Sequence, residues 1–215
     1  MAQPATAYMT EDEFFEFIQT RDEKWELVDG EPIMMAGANQ RHQDIAANTL
    51  TSLHTQLRGK KCRPTSADTG VSVKHGGVRY PDVVVDCGPR DDQAMRATAP
   101  TLVIEVLSPS TREFDSHRKV IEYKSHPDIR YILLIDTNSE CSLLHYRDEE
   151  GWDEILYDSL DDVIEFPEIG ASLALRDIYF GLELKPKLVR ERACSKCGMI
   201  KCVCDEGGDI PAPGF

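Results

Sequence analysis

Polar and apolar residues along this chain fall into short blocks, each readable as one structural element. Thr10-Glu11-Asp12-Glu13 forms a capping box and predicts a short helix through about Thr20. Trp25–Val28, then Asp29-Gly30, then Glu31–Met35 predicts a hairpin with a tight turn. Between Gln40 and Arg58 the residues Ala46, Leu50, Leu53 and Leu57 recur at helical spacing, and Gly59 follows as a stop. Strand-like segments follow at about Cys62–Thr65 and Gly70–Lys74, the latter leading through Gly76-Gly77 to the apolar run Val83-Val84-Val85. After a polar loop, Gly88–Ala99, comes a second apolar run, Thr101–Leu107; Ser108-Pro109-Ser110-Thr111 ends it and caps a helix to about His126. Ile129–Asp136 is a further strand, and Ser142–Arg147, Trp152–Asp158 and Val163–Leu175 read as hairpins. Together these elements predict an α+β or mixed α/β domain with a central sheet.

Two apolar runs carry one carboxylate each. Asp82 heads the Val83 run, and Glu105 interrupts the other. Burying an unpaired charge in such a strand costs several kcal/mol. Two carboxylates on one sheet that share a divalent cation would offset that cost. The plainer alternative is that Asp82 caps a strand in solvent while Glu105 pairs with a core arginine or lysine. Metal-assisted phosphodiester chemistry also needs a cation near the nucleophile or the developing charge. Lys119 is the best candidate, because Asp115 and Tyr123, four residues to either side, share its helix face. A solvated surface lysine is its alternative. Arg118 has Glu122 as an easy i+4 partner, and Lys124 is out of register.

Composition bounds these readings. The chain has 215 residues, 41% hydrophobic and 29% charged, which predicts one domain of ordinary size with appended termini. A net charge of −14 argues against an extended non-specific grip on nucleic acid and leaves room for a local basic cleft. No apolar stretch approaches a membrane span, and Met1–Ala7 lacks a positive region followed by an apolar one. The expectation is a soluble, cytoplasmic protein with no membrane partner. Cys62, Cys87 and Cys141 read as reduced core thiols.

Several segments together resemble a known family. They are Tyr80-Pro81-Asp82-Val83-Val84-Val85, Glu105-Val106-Leu107-Ser108-Pro109-Ser110-Thr111, the trio Asp115, Lys119 and Tyr123, and Arg130–Asp136. They are similar to the Uma-two family of restriction-endonuclease-like proteins, in the PD-(D/E)XK nuclease superfamily. Trp25–Glu31, His42 and Leu173–Phe180 also look like that family, so the resemblance covers roughly residues 10–182. It implies a restriction-endonuclease-like core, a mixed sheet flanked by helices, with Mg²⁺ or Mn²⁺ held by Asp82 and Glu105. It further implies hydrolysis of nucleic acid, DNA foremost, by a protein that can form a homodimer. Two residues after Glu105 stands Leu107 where the superfamily signature has lysine, and Lys119 stands at the position that would take over that role. Glu26 could supply a third acidic group or be an outward-facing strand residue. His42 reads as a satisfied core-edge histidine or, alternatively, as a ligand or phosphate contact. The leading expectation is thus a Mg²⁺-dependent DNA endonuclease with Asp82, Glu105 and Lys119 as catalytic residues. The rival is an inactive nuclease-like domain kept for nucleic-acid binding or assembly.

The patterning ends near Lys185, which predicts a nuclease domain over 1–184 and a Cys-rich tail over 185–215. Cys194, Cys197, Cys202 and Cys204 lie within eleven residues, and four thiolates there could enclose a structural Zn²⁺. Disulfides or an unliganded thiol tail are the alternatives. Lys185, Lys187, Arg190, Arg192, Lys196 and Lys201 make the tail locally basic, suited to nucleic acid or a partner protein.

Overall fold

The structure, a computed structural model, describes residues 8–107 and 115–184, the side chains of 115 and 116 excepted. The tail with Cys194, Cys197, Cys202 and Cys204 lies outside the described residues, as does the Ser108–Thr111 cap. Helix α1 (Glu11–Ile18) opens on the expected capping box, with Thr10 and Glu13 bonded reciprocally. Strands β1 (Trp25–Val28) and β2 (Glu31–Met34) form the hairpin around Asp29-Gly30, both at positive φ. Helix α2 (Gln40–Leu57) is capped by the Asn39 side chain. Then follow β3 (Arg63–Ser66), β4 (Val71–Val73), β5 (Gly77–Arg79), β6 (Val83–Asp86) and β7 (Pro100–Leu107). Helix α3 (Asp115–Lys124) precedes β8 (Tyr131–Asp136), β9 (Ser142–Arg147) and β10 (Trp152–Tyr157). The hairpin β11 (Val163–Phe166) and β12 (Ala171–Ala174) leads into a single helical turn, α4 (Leu175–Ile178).

The expected α+β class is what the chain adopts, with its strands divided between sheets. Six strands run in the order β10-β9-β8-β7-β6-β3, and β7 pairs with β8 in parallel while the other ladders of that sheet are antiparallel. Four strands form a second sheet, β2-β1-β5-β4. Alternation along β7 sends Leu102, Ile104 and Val106 into a core shared with Ile45, Leu53 and Leu57 of α2 and with the β11–β12 hairpin. Val103 turns to the opposite face, into a core with Val120 and Tyr123 of α3. The six-stranded sheet is thus covered by α2 on one face and α3 on the other.

The far end of α3 is bracketed from β9 and β10. Arg147 donates to the carbonyls of Lys124, His126 and Pro127 at 2.7–3.0 Å, and the Trp152 indole N–H donates to Lys124 at 3.1 Å. Of these, the Lys124 carbonyl is one that the helix C-terminus leaves without an intrahelical partner, and the other two belong to the turn that follows. The Arg147 guanidinium also lies 4.8 Å from the centre of the Trp152 ring.

The thiol reading is corrected at two positions. Cys62 and Cys87 form a disulfide. Arg63 pairs with Asp86 across β3 and β6, so the next residues outward in that antiparallel register are Cys62 and Cys87. Without the register, residues 25 apart in sequence gave no sign of facing each other. Cys141 is half-buried and takes no part in that bond.

Candidate active site

Strand register brings the two carboxylates together. In the β6–β7 ladder Val83 lies opposite Ile104, so one further step brings Asp82 level with Glu105. Asp82 Oδ2 accepts the Val106 N–H at 2.7 Å, which ties the turn before β6 to the end of β7. Asp82 Oδ1 is 2.8 Å from His42 Nε2, projected from the first turn of α2. With that side chain 19% exposed, Asp82 is not a strand cap standing in solvent. His42 is the core-edge histidine of one expectation, and its partner is the candidate ligand itself. Its hydrogen bond to Asp82 raises the imidazole pKa against the opposing effect of burial, helped by the charges of Asp82 and Glu105.

Glu105 is 8% exposed. It points to the α3 face, where Tyr123 donates to Oε1 at 2.7 Å and Lys119 Nζ stands 3.4 Å from the same oxygen. Lys119 and Tyr123 reach it together because residues four apart share a helix face. Burial pushes the Glu105 carboxyl up to about 7; Lys119 pulls it down, and the charges of Asp82 and Glu26 push it up again. The Tyr123 phenol is raised well above its ordinary value, first by burial and then by the Glu105 charge, so it remains a neutral donor. The Asp115 side chain lies outside the described residues.

Glu26 is buried at 7% exposure, so it does not face outward. Oε1 accepts from Lys119 at 3.0 Å and from the Tyr80 N–H at 3.2 Å, and Oε2 accepts from Arg79 at 2.9 Å. Arg79, 2% exposed, also holds Glu122 through Nε at 2.7 Å and Nη2 at 3.0 Å. Burial works against the Arg79 cation, yet the bonds to Glu122 and the charge of Glu26 keep its pKa above the ordinary value. Arg118 bonds Glu122 at 2.8 Å, the i+4 partner expected of it. Sequence reading passed over Arg79; a basic residue just before Tyr80-Pro81-Asp82 was the available signal.

Among the described residues, no three His, Cys, Asp or Glu side chains form a ready-made metal cage. Mg²⁺ seldom needs one: it is commonly held by one or two carboxylates, several waters and substrate phosphate. The donor set fits such an ion. Asp82 and Glu105 are hard oxygen donors; burial first, and then the neighbouring Asp82 and Glu26 charges, raises Glu105, and a divalent cation there would offset both. No helix among the described residues is long and apolar enough to cross a membrane.

Comparison with known proteins bears on the family and the fold. A family model, Uma2, described as "Putative restriction endonuclease", matches residues 11–176. The uncharacterized protein slr1290 of Synechocystis is 32% identical over 177 residues, covering 81% of this chain and 93% of that one. The uncharacterized protein sll1609 of the same organism is 30% identical over 140 residues, covering 63% of this chain and 79% of its own. The fold is similar to a crystal structure from Anabaena variabilis described as a putative nuclease belonging to DUF820. The TM-score is 0.66 at 18% identity, over 79% of this chain and 97% of the other.

Proposed function

The chain belongs to the Uma2 family of putative restriction endonucleases, and on that premise we propose that it is a divalent-cation-dependent nuclease hydrolysing phosphodiester bonds in DNA. Asp82 and Glu105 hold Mg²⁺ or Mn²⁺, and Lys119 is the cation beside the attacking water. The observation that carries this reading is the Lys119 ammonium, 3.4 Å from Glu105 on the face that Glu105 shares with Tyr123. It supplies from α3 the charge that Leu107 does not supply from β7. A divalent ion held there would polarise the phosphoryl group and lower the pKa of a water. Lys119 is placed to hold the attacking water or to steady the charge developing on phosphate. Tyr123 fixes the Glu105 carboxylate by donating its phenol proton, and the Val106 N–H does the same for Asp82. DNA as substrate is supported by the family's description.

A second reading, a domain that binds nucleic acid without cutting it, draws on Leu107 and on the occupation of both Asp82 oxygens by His42 and Val106. One experiment separates the two. Purified protein is expected to nick plasmid DNA with Mg²⁺ or Mn²⁺ and to stop with EDTA, and Asp82→Asn is expected to abolish cleavage with the fold intact. DNA binding without cleavage establishes the second reading. Cleavage at wild-type rate in Asp82→Asn defeats the assignment.

A further inference from the structure

Glu26 and Arg79 form a cross-strand pair. In the β1–β5 ladder Leu27 lies opposite Val78, so one step along places Glu26 level with Arg79. Arg79 spans two elements: one nitrogen bonds Glu26 on β1, and two bond Glu122 on α3. It therefore fastens the four-stranded sheet to the helix that carries Lys119. The Glu26 carboxylate takes three donors on two oxygens: Arg79, the Tyr80 N–H and Lys119. Lys119 is nearer to Glu26, at 3.0 Å, than to Glu105, at 3.4 Å.

Within the nuclease reading, we propose that Glu26, fixed by Arg79, is a positioning residue that sets the Lys119 ammonium over the Glu105 carboxylate, and is not a third metal ligand. A carboxylate offers about four lone-pair sites, and here three already face donors. Arg79 is a suitable anchor because its planar fork bonds in fixed directions and it stays charged when buried. Glu26 also accepts the N–H of Tyr80, two residues before Asp82, so one carboxylate registers both the lysine and the turn that presents the aspartate.

The test is a double-mutant cycle with Glu26→Gln and Lys119→Ala, read as kcat and KM on DNA. Glu26→Gln is expected to lower kcat on the order of tenfold or more with KM unchanged, as misplacing a reacting group does. In the Lys119→Ala background the same substitution is expected to cost nothing further, because the group it positions is gone. A full independent loss in that background overturns the proposal. Two further arms do not need activity. Mn²⁺ affinity by calorimetry is expected to fall by less in Glu26→Gln than in Asp82→Asn, because a contact behind the ligands tunes the site whereas a ligand holds the ion. In ¹⁵N-lysine-labelled protein the Lys119 ammonium resonance, assigned by its absence from Lys119→Ala, is expected to be sharp in wild type and lost in Glu26→Gln. An unchanged resonance, or a loss of Mn²⁺ affinity in Glu26→Gln as large as that in Asp82→Asn, overturns the proposal. A wild-type protein that does not cut DNA defeats the nuclease reading, and these two arms still decide what Glu26 holds.

Discussion

Asp86 and Glu105 are buried carboxylates on neighbouring strands, at 3% and 8% exposure, and they are treated differently. Asp86 accepts from Arg63 at 2.7 Å, from the N–H groups of Gly88, Thr98 and Ala99 at 2.8–3.2 Å, and from the Thr98 hydroxyl at 3.4 Å. Most of those donors are backbone amides of the loop between β6 and β7, so the carboxylate works as a knot for that loop. Gly88 belongs to the knot: a Cβ there would collide with the Thr98 hydroxyl. Glu105 has a phenol and an ammonium beside it, two other carboxylates nearby, and a pKa pushed up to about 7. Burial alone therefore does not mark a working carboxylate. The partners differ: backbone amides immobilise Asp86, whereas Glu105 faces the Tyr123 phenol and the Lys119 ammonium, as the proposed role requires.

The sharpest way to break this comparison is to neutralise each acid and follow cleavage. Glu105→Gln is expected to abolish metal-dependent nicking with the fold retained, while Asp86→Asn keeps the wild-type rate at a temperature where it is folded. The reverse pattern would erase the distinction. Next in size, Lys119→Ala is expected to slow cleavage by about a hundredfold, the range for losing one transition-state charge contact. Lys124→Ala, whose side chain leans on the Trp152 ring, is expected to leave the rate within about twofold. Third, Asp86→Asn is expected to lower unfolding free energy by about 2 kcal/mol in chemical denaturation, since it removes bonds to an ionised acceptor.

A further test is in pH. The folded pKa of Glu105 lies above its ordinary 4.5, at about 7. Stability from this group is therefore complete below the ordinary value and is lost as pH rises through 7. Glu105→Gln does not titrate, so its melting temperature relative to metal-free wild type is expected to climb between pH 4.5 and 7. A flat difference across that window would show that Lys119 already neutralises the site.

What local sequence could reveal, it revealed. The capping box at Thr10, the Asp29-Gly30 turn and α2 each depend on residues within a few positions of one another. Asp82 and Glu105 stood out because a carboxylate in an apolar run is conspicuous, and Lys119 and Tyr123 followed from helical spacing. The rest depended on register. Strand β5 is three residues with a glycine and an arginine, a pattern with no strand signature, yet all three are buried. That omission hid Arg79, and with it the company Glu26 keeps. The disulfide and the His42–Asp82 contact, 25 and 40 residues apart, were invisible for the same reason.

The bracket on α3 bears on the order in which the protein is made. Trp152 closes its bond to Lys124 across 28 residues. Synthesis delivers the N-terminal part first. Glu26, Asp82, Glu105 and Lys119 therefore all leave the ribosome before Trp152 does. Most helical stability in a protein comes from tertiary packing rather than from the helix's own propensity. Until β9 and β10 fold back, the Lys124 carbonyl at the end of α3 and those of His126 and Pro127 just after it lack the Arg147 and Trp152 donors that fasten them. A nascent chain thus carries every proposed catalytic residue before the side chains that fasten the far end of α3 have emerged.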